Sequence, residues 1–164
     1  MEIVNFKPQS VFSAQAQETF DKEENKLSKL LPKADIQHIG STAIPNAMTK
    51  GDVDLQVRVN KDDFSKAVRQ LKELYEINQP DNWTDNYASF KDDKKDTPVG
   101  IQLTIIGSDD DRQFQEQQQL LSSNQKVLER YNQMKLSFNG KDIKDYQTAR
   151  AKFFEELKTE GLLH

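Results

Sequence analysis

Cysteine is absent from the 164 residues of the chain. Disulfides, thiolate-bound metals, iron–sulfur clusters and cysteine nucleophiles are excluded together, and a reducing compartment is the natural setting. Histidine is nearly as scarce: His38 and the terminal His164 are the only two, so a histidine-rich metal site is out of reach. No run approaches the ~20 apolar residues that span a bilayer, and Met1 to Ser10 lacks the basic and apolar parts of a signal peptide. Proline and glycine form no linker, and no repeat or low-complexity tract divides the chain. Charge of one sign is not in large excess either. The net charge is −4, with acids and bases interspersed, which makes nucleic acid an unsuitable partner. The expectation is one soluble cytoplasmic domain over residues 1–164, a length at which roughly 70% of the unfolded surface is buried.

The apolar pattern orders this domain. Phe12, Ala16, Phe20, Leu27 and Leu30 recur at helical spacing between Val11 and Leu31, although Asp21 to Asn25 interrupts the stripe with charge. Pro32 ends that helix, and Ala34 to Ile39 reads as a strand running into Gly40 and Ser41. Ser41 to Thr49 suits a loop or one helical turn. Asp52 to Val59 then alternates strictly, with Val53, Leu55, Val57 and Val59 on one face and Asp52, Asp54, Gln56 and Arg58 on the other. Asn60 is placed to cap a helix through Leu74. Trp83 to Lys91 and Pro98 to Ile106 read as two strands of a hairpin, joined by the charged turn Asp92 to Thr97. Helical patterns fill the rest: Phe114 to Leu121, Val127 to Leu136, and a last helix carrying Tyr146, Phe153, Phe154 and Leu157. A sheet first and helices last is an α+β arrangement: a mixed or antiparallel sheet flanked by helices, with a helical C-terminal third.

Chemistry is concentrated between His38 and Asp54. Carboxylates two apart on a strand, Asp52 and Asp54, present their oxygens together to a hard cation such as Mg²⁺, and a Gly-Ser pair opening a helical turn lets backbone N–H groups approach a phosphate. Such carboxylates lie roughly 6–7 Å apart, and repel by about 2–3 kcal/mol at an effective dielectric near 20. Burial without a cation is therefore costly. If the face is open to water, the pair is a solvated strand face and requires no function. His38 reads as a strand histidine hydrogen-bonded to backbone, or else as a ligand or base. Lys50 reads as a phosphate partner or a solvated lysine, and Arg58 as a partner of Asp54 or of substrate. Ser41 has no recognisable base partner, so phosphate contact or capping suits it better than nucleophilic attack. Trp83, Tyr87 and Phe90 have the spacing of packing residues as much as of a stacking platform.

The run His38-Ile39-Gly40-Ser41-Thr42, then Pro45, then Lys50-Gly51-Asp52-Val53-Asp54, resembles the signature of the GrpB family, which belongs to the nucleotidyltransferase-like superfamily. The likeness extends to the hairpin and to Tyr146 to Phe153. It implies a site that binds a nucleoside triphosphate, or another small phosphate-bearing ligand, with Mg²⁺. Asp54 and Asp52 would be catalytic and metal-binding, and Gly40, Ser41, Thr42 and Lys50 phosphate-binding. His38, Gln56, Arg58, Gln102 and Thr104 would line the cleft. It further implies nucleotidyl transfer to an acceptor that the sequence does not name. Matching Lys50 to the family's lysine places the family carboxylate on Asp54 and leaves Asp52 at a usually apolar position. The chain also departs from the pattern. Gln102-Leu103-Thr104 stands where His-Leu-His is usual, Arg150 stands for a lysine, and the later strand offers Gly100, Gln102 and Thr104 in place of a third acid. The alternative is therefore a catalytically inactive domain of the same fold that binds a ligand or a protein partner.

Overall fold

The computed structural model describes all residues, 1–164. Two short strands, β1 (Ile3–Val4) and β2 (Lys7–Pro8), precede the long helix α1 (Gln9–Leu30). β3 (Asp35–Ile39) runs into a 3-10 turn at Ser41–Ala43, followed by β4 (Met48–Thr49) and β5 (Val53–Val59). Next come α2 (Phe64–Leu74), β6 (Glu76–Ile77) and the hairpin of β7 (Tyr87–Asp92) and β8 (Val99–Ile105). The C-terminal third comprises α3 (Asp109–Ser123), α4 (Gln125–Leu136), β9 (Lys141–Asp142) and α5 (Ile143–Thr159). The main sheet has the order β3-β5-β8-β7-β6. Only β5 and β8 run parallel; the other neighbours are antiparallel, so the sheet is mixed and the class is α+β.

The alternation of β5 places Val53, Leu55 and Val57 in full burial, beside Ile101 and Leu103 of β8. Leu27 of α1 and Ala67 and Leu71 of α2 close this core over one sheet face. Each fully buried aliphatic side chain there contributes about 1.5–3 kcal/mol. A second apolar cluster joins Ile44 and Ala47 to α4 and α5 through Leu128, Tyr131, Phe154 and Leu157. Helices α3, α4 and α5 therefore stand over the opposite face of the sheet, and the cleft described below opens between them and β5, β8 and β7.

Several local expectations change. The charged interruption of α1 is not solvated throughout. Glu23 is buried, and its carboxylate accepts from the Tyr75 hydroxyl at 2.8 Å, Lys95 Nζ at 2.8 Å and Lys26 Nζ at 3.2 Å. Burial pushes this carboxyl up, but the three donors outweigh it and hold it below its ordinary value. Asn60 makes no capping hydrogen bond, because a 3-10 turn at Lys61–Asp63 intervenes before α2. The first hairpin strand starts at Tyr87. Trp83 lies in the preceding turn, where its indole donates to the Asn78 carbonyl at 3.0 Å. Ile105, in line with the buried Ile101 and Leu103, is partly exposed at the end of β8.

Helix α3 is fixed to the sheet by one carboxylate. Asp111, in its first turn, accepts from Arg58 Nε at 2.7 Å, Arg58 Nη2 at 2.9 Å, Gln56 Nε2 at 2.9 Å and the Gly107 N–H at 2.9 Å. The Asp111 amide in turn donates to the capping Ser108 hydroxyl at 3.2 Å. Removing one partner of such a buried pair leaves the other charge uncompensated, at a cost of about 3–5 kcal/mol. Asp111→Ala should therefore lower the unfolding free energy by that amount, read as a lower urea midpoint at an unchanged slope; a loss below about 1 kcal/mol would show that the arginine finds water instead.

Candidate functional site

Asp54 sits on the open end of β5, between Ile39 of β3 and Gly100 of β8. Its carboxylate occupies space that two glycines leave vacant. A Cβ on Gly40 would stand 2.8 Å from Asp54 Oδ2, and one on Gly100 would overlap Oδ1. The Gly40 backbone, at φ 79°, is also in the left-handed region that favours glycine. The carboxylate is seated but not neutralised, for no protein hydrogen bond compensates it. It opens onto a cleft of about 510 Å³.

Three cations line that cleft: Lys50, Lys135 and Arg150. Lys50 pairs with Asp52 at 3.6 Å, at the mouth. Lys135 is buried on α4 and donates to the Met48 carbonyl at 2.8 Å and to the Ser41 hydroxyl, with its ammonium 4.1 Å from the Tyr131 ring centre. Arg150 of α5 donates from Nε to the Tyr131 hydroxyl at 3.0 Å. Neither Lys135 nor Arg150 is bonded to a carboxylate. Burial pushes the Lys135 ammonium down, while the neighbouring Tyr131 hydroxyl works against that shift. Burial pushes the Tyr131 phenol up, but Arg150 and Lys135 outweigh it and pull the phenol down. The end of the cleft around Ser41, Tyr131 and Arg150 is thus an environment arranged for negative charge.

The Gly40-Ser41-Thr42 turn is engaged internally. The Gly40 N–H, expected to face a phosphate, donates to Gln118 Oε1 of α3 at 2.9 Å. The Thr42 hydroxyl turns away from the cleft and donates to the Asp52 carbonyl at 3.0 Å. Ser41 accepts from Lys135 and keeps its own proton available to the cleft.

The structure gathers Gly40, Ser41, Lys50, Asp52, Asp54 and Gln102 around one cavity. His38 is elsewhere. It pairs with Leu55 across the sheet, which puts it on the core face, stacked 5.0 Å from Phe20 and bonded to Thr42 Oγ1 at 2.9 Å. Because the Thr42 proton goes to Asp52, His38 presents Nε2–H to Thr42. Gln56, Arg58 and Thr104 share the face of Asp54 but lie under α3. Arg58 pairs with Asp111 and, at 2.7 Å, with Asp35; it does not pair with Asp54. Lys135 and Tyr131 escaped the sequence reading, yet a signal existed: Val127, Tyr131 and Lys135 recur every four residues on the buried side of α4.

Burial first, and then the Asp52 charge, push the Asp54 carboxyl up to about 7, against the opposing pull of Lys50, Arg150 and Lys135. An unfolded aspartate titrates near ~3.9, so between these values the folded state holds the extra proton and stability falls as pH rises. Asp54→Asn abolishes that loss. In metal-free buffer its thermal midpoint should exceed that of the wild type by about 2–8 °C at pH 8 and converge with it near pH 4; equal midpoints at pH 8 would mean that the carboxylate is fully hydrated.

Comparison with known proteins identifies the family and the fold. The GrpB protein family matches residues 11–160. A UPF0157 protein of Vibrio cholerae serotype O1 is 30% identical over 146 residues, covering 89% of this chain and 77% of its own. Among solved structures, the conserved protein GrpB from Enterococcus faecalis superposes with a TM-score of 0.72 at 18% identity, covering 90% of this chain and 92% of that one. The Cid1 poly(U) polymerase with MgGTP bound gives a TM-score of 0.56 at 20% identity over 80% of this chain and 42% of its own, and so shares a nucleotidyltransferase-like fold. The chain belongs to the GrpB family.

Proposed function

We propose that the cleft binds a nucleoside triphosphate with Mg²⁺ and serves nucleotidyl transfer to an acceptor hydroxyl. One observation carries the reading. A carboxylate that accepts no hydrogen bond, Asp54, and two cations bonded to no carboxylate, Lys135 and Arg150, line the same cavity. These charges act on one another only at a distance, and a metal–polyphosphate carries a direct complement for each sign. The nucleotidyltransferase-like fold supports the same reading.

Mg²⁺ characteristically takes one or two carboxylates and fills its shell with phosphate oxygens and water, so Asp54 and Asp52 suit a single ion. When bound, the ion would neutralise charge developing on the phosphates. Lys135 and Arg150 would hold the phosphate chain, with the Ser41 hydroxyl donating beside them. Lys50 would exchange its pairing with Asp52 for a phosphate at the mouth. These fixed donors orient the ligand before reaction, which is the main contribution a protein makes to phosphoryl chemistry.

A second reading has its own support. No group of three acidic, histidine or cysteine side chains is placed to hold a metal, and the strand beside Asp54 offers Gln102 where a third acid would complete a two-metal site. On that reading the cleft binds the nucleotide without turnover. Calorimetric titration of Mg²⁺–nucleotide should give a wild-type affinity that falls at least tenfold in Asp54→Asn and in Arg150→Gln, a loss of about 1.4 kcal/mol or more for each. Unchanged affinity in both variants would remove the cleft from consideration. Pyrophosphate release with a panel of hydroxyl acceptors separates turnover from binding alone.

A further inference from the structure

The cleft is divided in character. Its charged lining comes from the β4–β5 side and from α4 and α5, whereas the lining given by β7, β8 and the Asn78–Asn82 turn is neutral: Asn78, Asn82, Tyr87, Ser89 and Gln102, with Phe114 of α3 beside them. The sheet order explains the division, because β7 is two strands from β5, a separation of about 10 Å. That span is comparable to the reach from a phosphate across a sugar to a heterocyclic base.

The neutral half is preset by two directed hydrogen bonds. Asn78 Nδ2 donates to Ser89 Oγ at 3.2 Å, and the Tyr87 hydroxyl donates to Gln102 Oε1 at 2.8 Å. Each runs in one direction, so the orientation of both carboxamides is fixed. Asn78 is left with a free acceptor, Oδ1, and Gln102 with free donors on Nε2. The turn that carries Asn78 is itself held firmly. The Asn78 N–H donates to the Ser89 carbonyl at 3.0 Å, the Trp83 indole donates to the Asn78 carbonyl, and Gln79 occupies a left-handed conformation at φ 44°. Non-glycine residues persist there only where surrounding contacts impose it, and such positions gather at ligand sites. Tyr87 and Phe114, with ring centres 5.6 Å apart, add an aromatic surface next to these polar ends.

We infer that the β7–β8 half of the cleft is a subsite for a neutral heterocyclic base, in which Gln102 donates to a ring carbonyl or ring nitrogen and Tyr87 fixes the orientation of Gln102. This rests on the nucleotide reading above and adds to it which residues select the nucleoside. It also gives Gln102 a reason to be an amide: an acid there would repel Asp54 and present no donor to the base. Gln102 is thus a specificity residue, and Tyr87 a positioning residue.

The test is calorimetric titration of Mg²⁺–tripolyphosphate alongside the Mg²⁺ complexes of ATP, GTP, CTP and UTP, with wild type, Gln102→Leu and Tyr87→Phe. The expected result is that at least one nucleotide binds wild type about tenfold or more tightly than tripolyphosphate. Gln102→Leu should bring that nucleotide to within about threefold of tripolyphosphate, with tripolyphosphate affinity itself unchanged, which shows that the variant is folded. Tyr87→Phe should reduce the spread among the four nucleotides while keeping tripolyphosphate binding, an effect that simple loss of packing would not produce. Equal binding of tripolyphosphate and every nucleotide by wild type, or a nucleotide preference that persists in Gln102→Leu, overturns the base subsite and leaves the phosphate site intact. Binding of neither ligand class to wild type removes the nucleotide reading and this inference with it.

Discussion

The Asp111 carboxylate fixes the shape of the functional face. It gathers Arg58, Gln56 and the Gly107 amide into one buried network and so determines how α3 lies across β5 and β8. Two glutamines extend the attachment toward the other end of the strands. Gln115 reaches Gln37 and Gln56 at 2.9 and 2.6 Å, and Gln118 reaches Gly40. Residues of one strand face are thereby sorted. Gln56 and Arg58 become structural, while Asp54, two positions earlier, is left facing open volume. Each of these buried polar atoms is satisfied only if all the others are in place, so the network sets a unique position for the helix.

Much of this architecture was legible in the chain. The strict alternation of Val53, Leu55, Val57 and Val59 is a local signal with a single geometric meaning, and the hairpin and helical stripes are of the same kind. What could not be read was long-range. β1 pairs with β9 across most of the chain and β2 with β4 across the whole of α1 and β3, and two-residue strands carry no periodicity of their own. The misplacement of His38 is a matter of parity. Antiparallel register sets His38 against Leu55 and Ile39 against Asp54, and sequence alone does not supply a register between strands. Nothing local marks Gln115 and Gln118 as structural, because their partners, Gln37, Gln56 and Gly40, are remote in sequence.

The site was legible in part for a related reason. The spacing of Asp52 and Asp54 and the small residues Gly40 and Ser41 are local, and all four do border the cleft. The positive half of the site is not local. Lys135 and Arg150 come from two late helices that the sequence presents as ordinary amphipathic segments, and only folding brings Lys135 to Ser41. The resemblance pointed to phosphate recognition by the backbone of the Gly40-Ser41-Thr42 turn, but that turn spends its Gly40 amide and Thr42 hydroxyl on α3 and on the Asp52 loop. On the proposed reading, phosphate recognition falls to side chains.

The charges of the cleft bear on why such a site is retained at all. Burial and the neighbouring Asp52 charge suppress ionisation of Asp54, which accepts no hydrogen bond in return. A cation at that position would reverse the preference by supplying the missing field, and a polyanion would do the same for Lys135. Either ligand alone would complete one sign and leave the other exposed in a partly desolvated cavity. Metal and anion should therefore bind with positive coupling, each lowering the cost of the other. The destabilisation of the empty cleft then becomes a source of selectivity, because a ligand that carries both charges in one complex gains more than one that carries either.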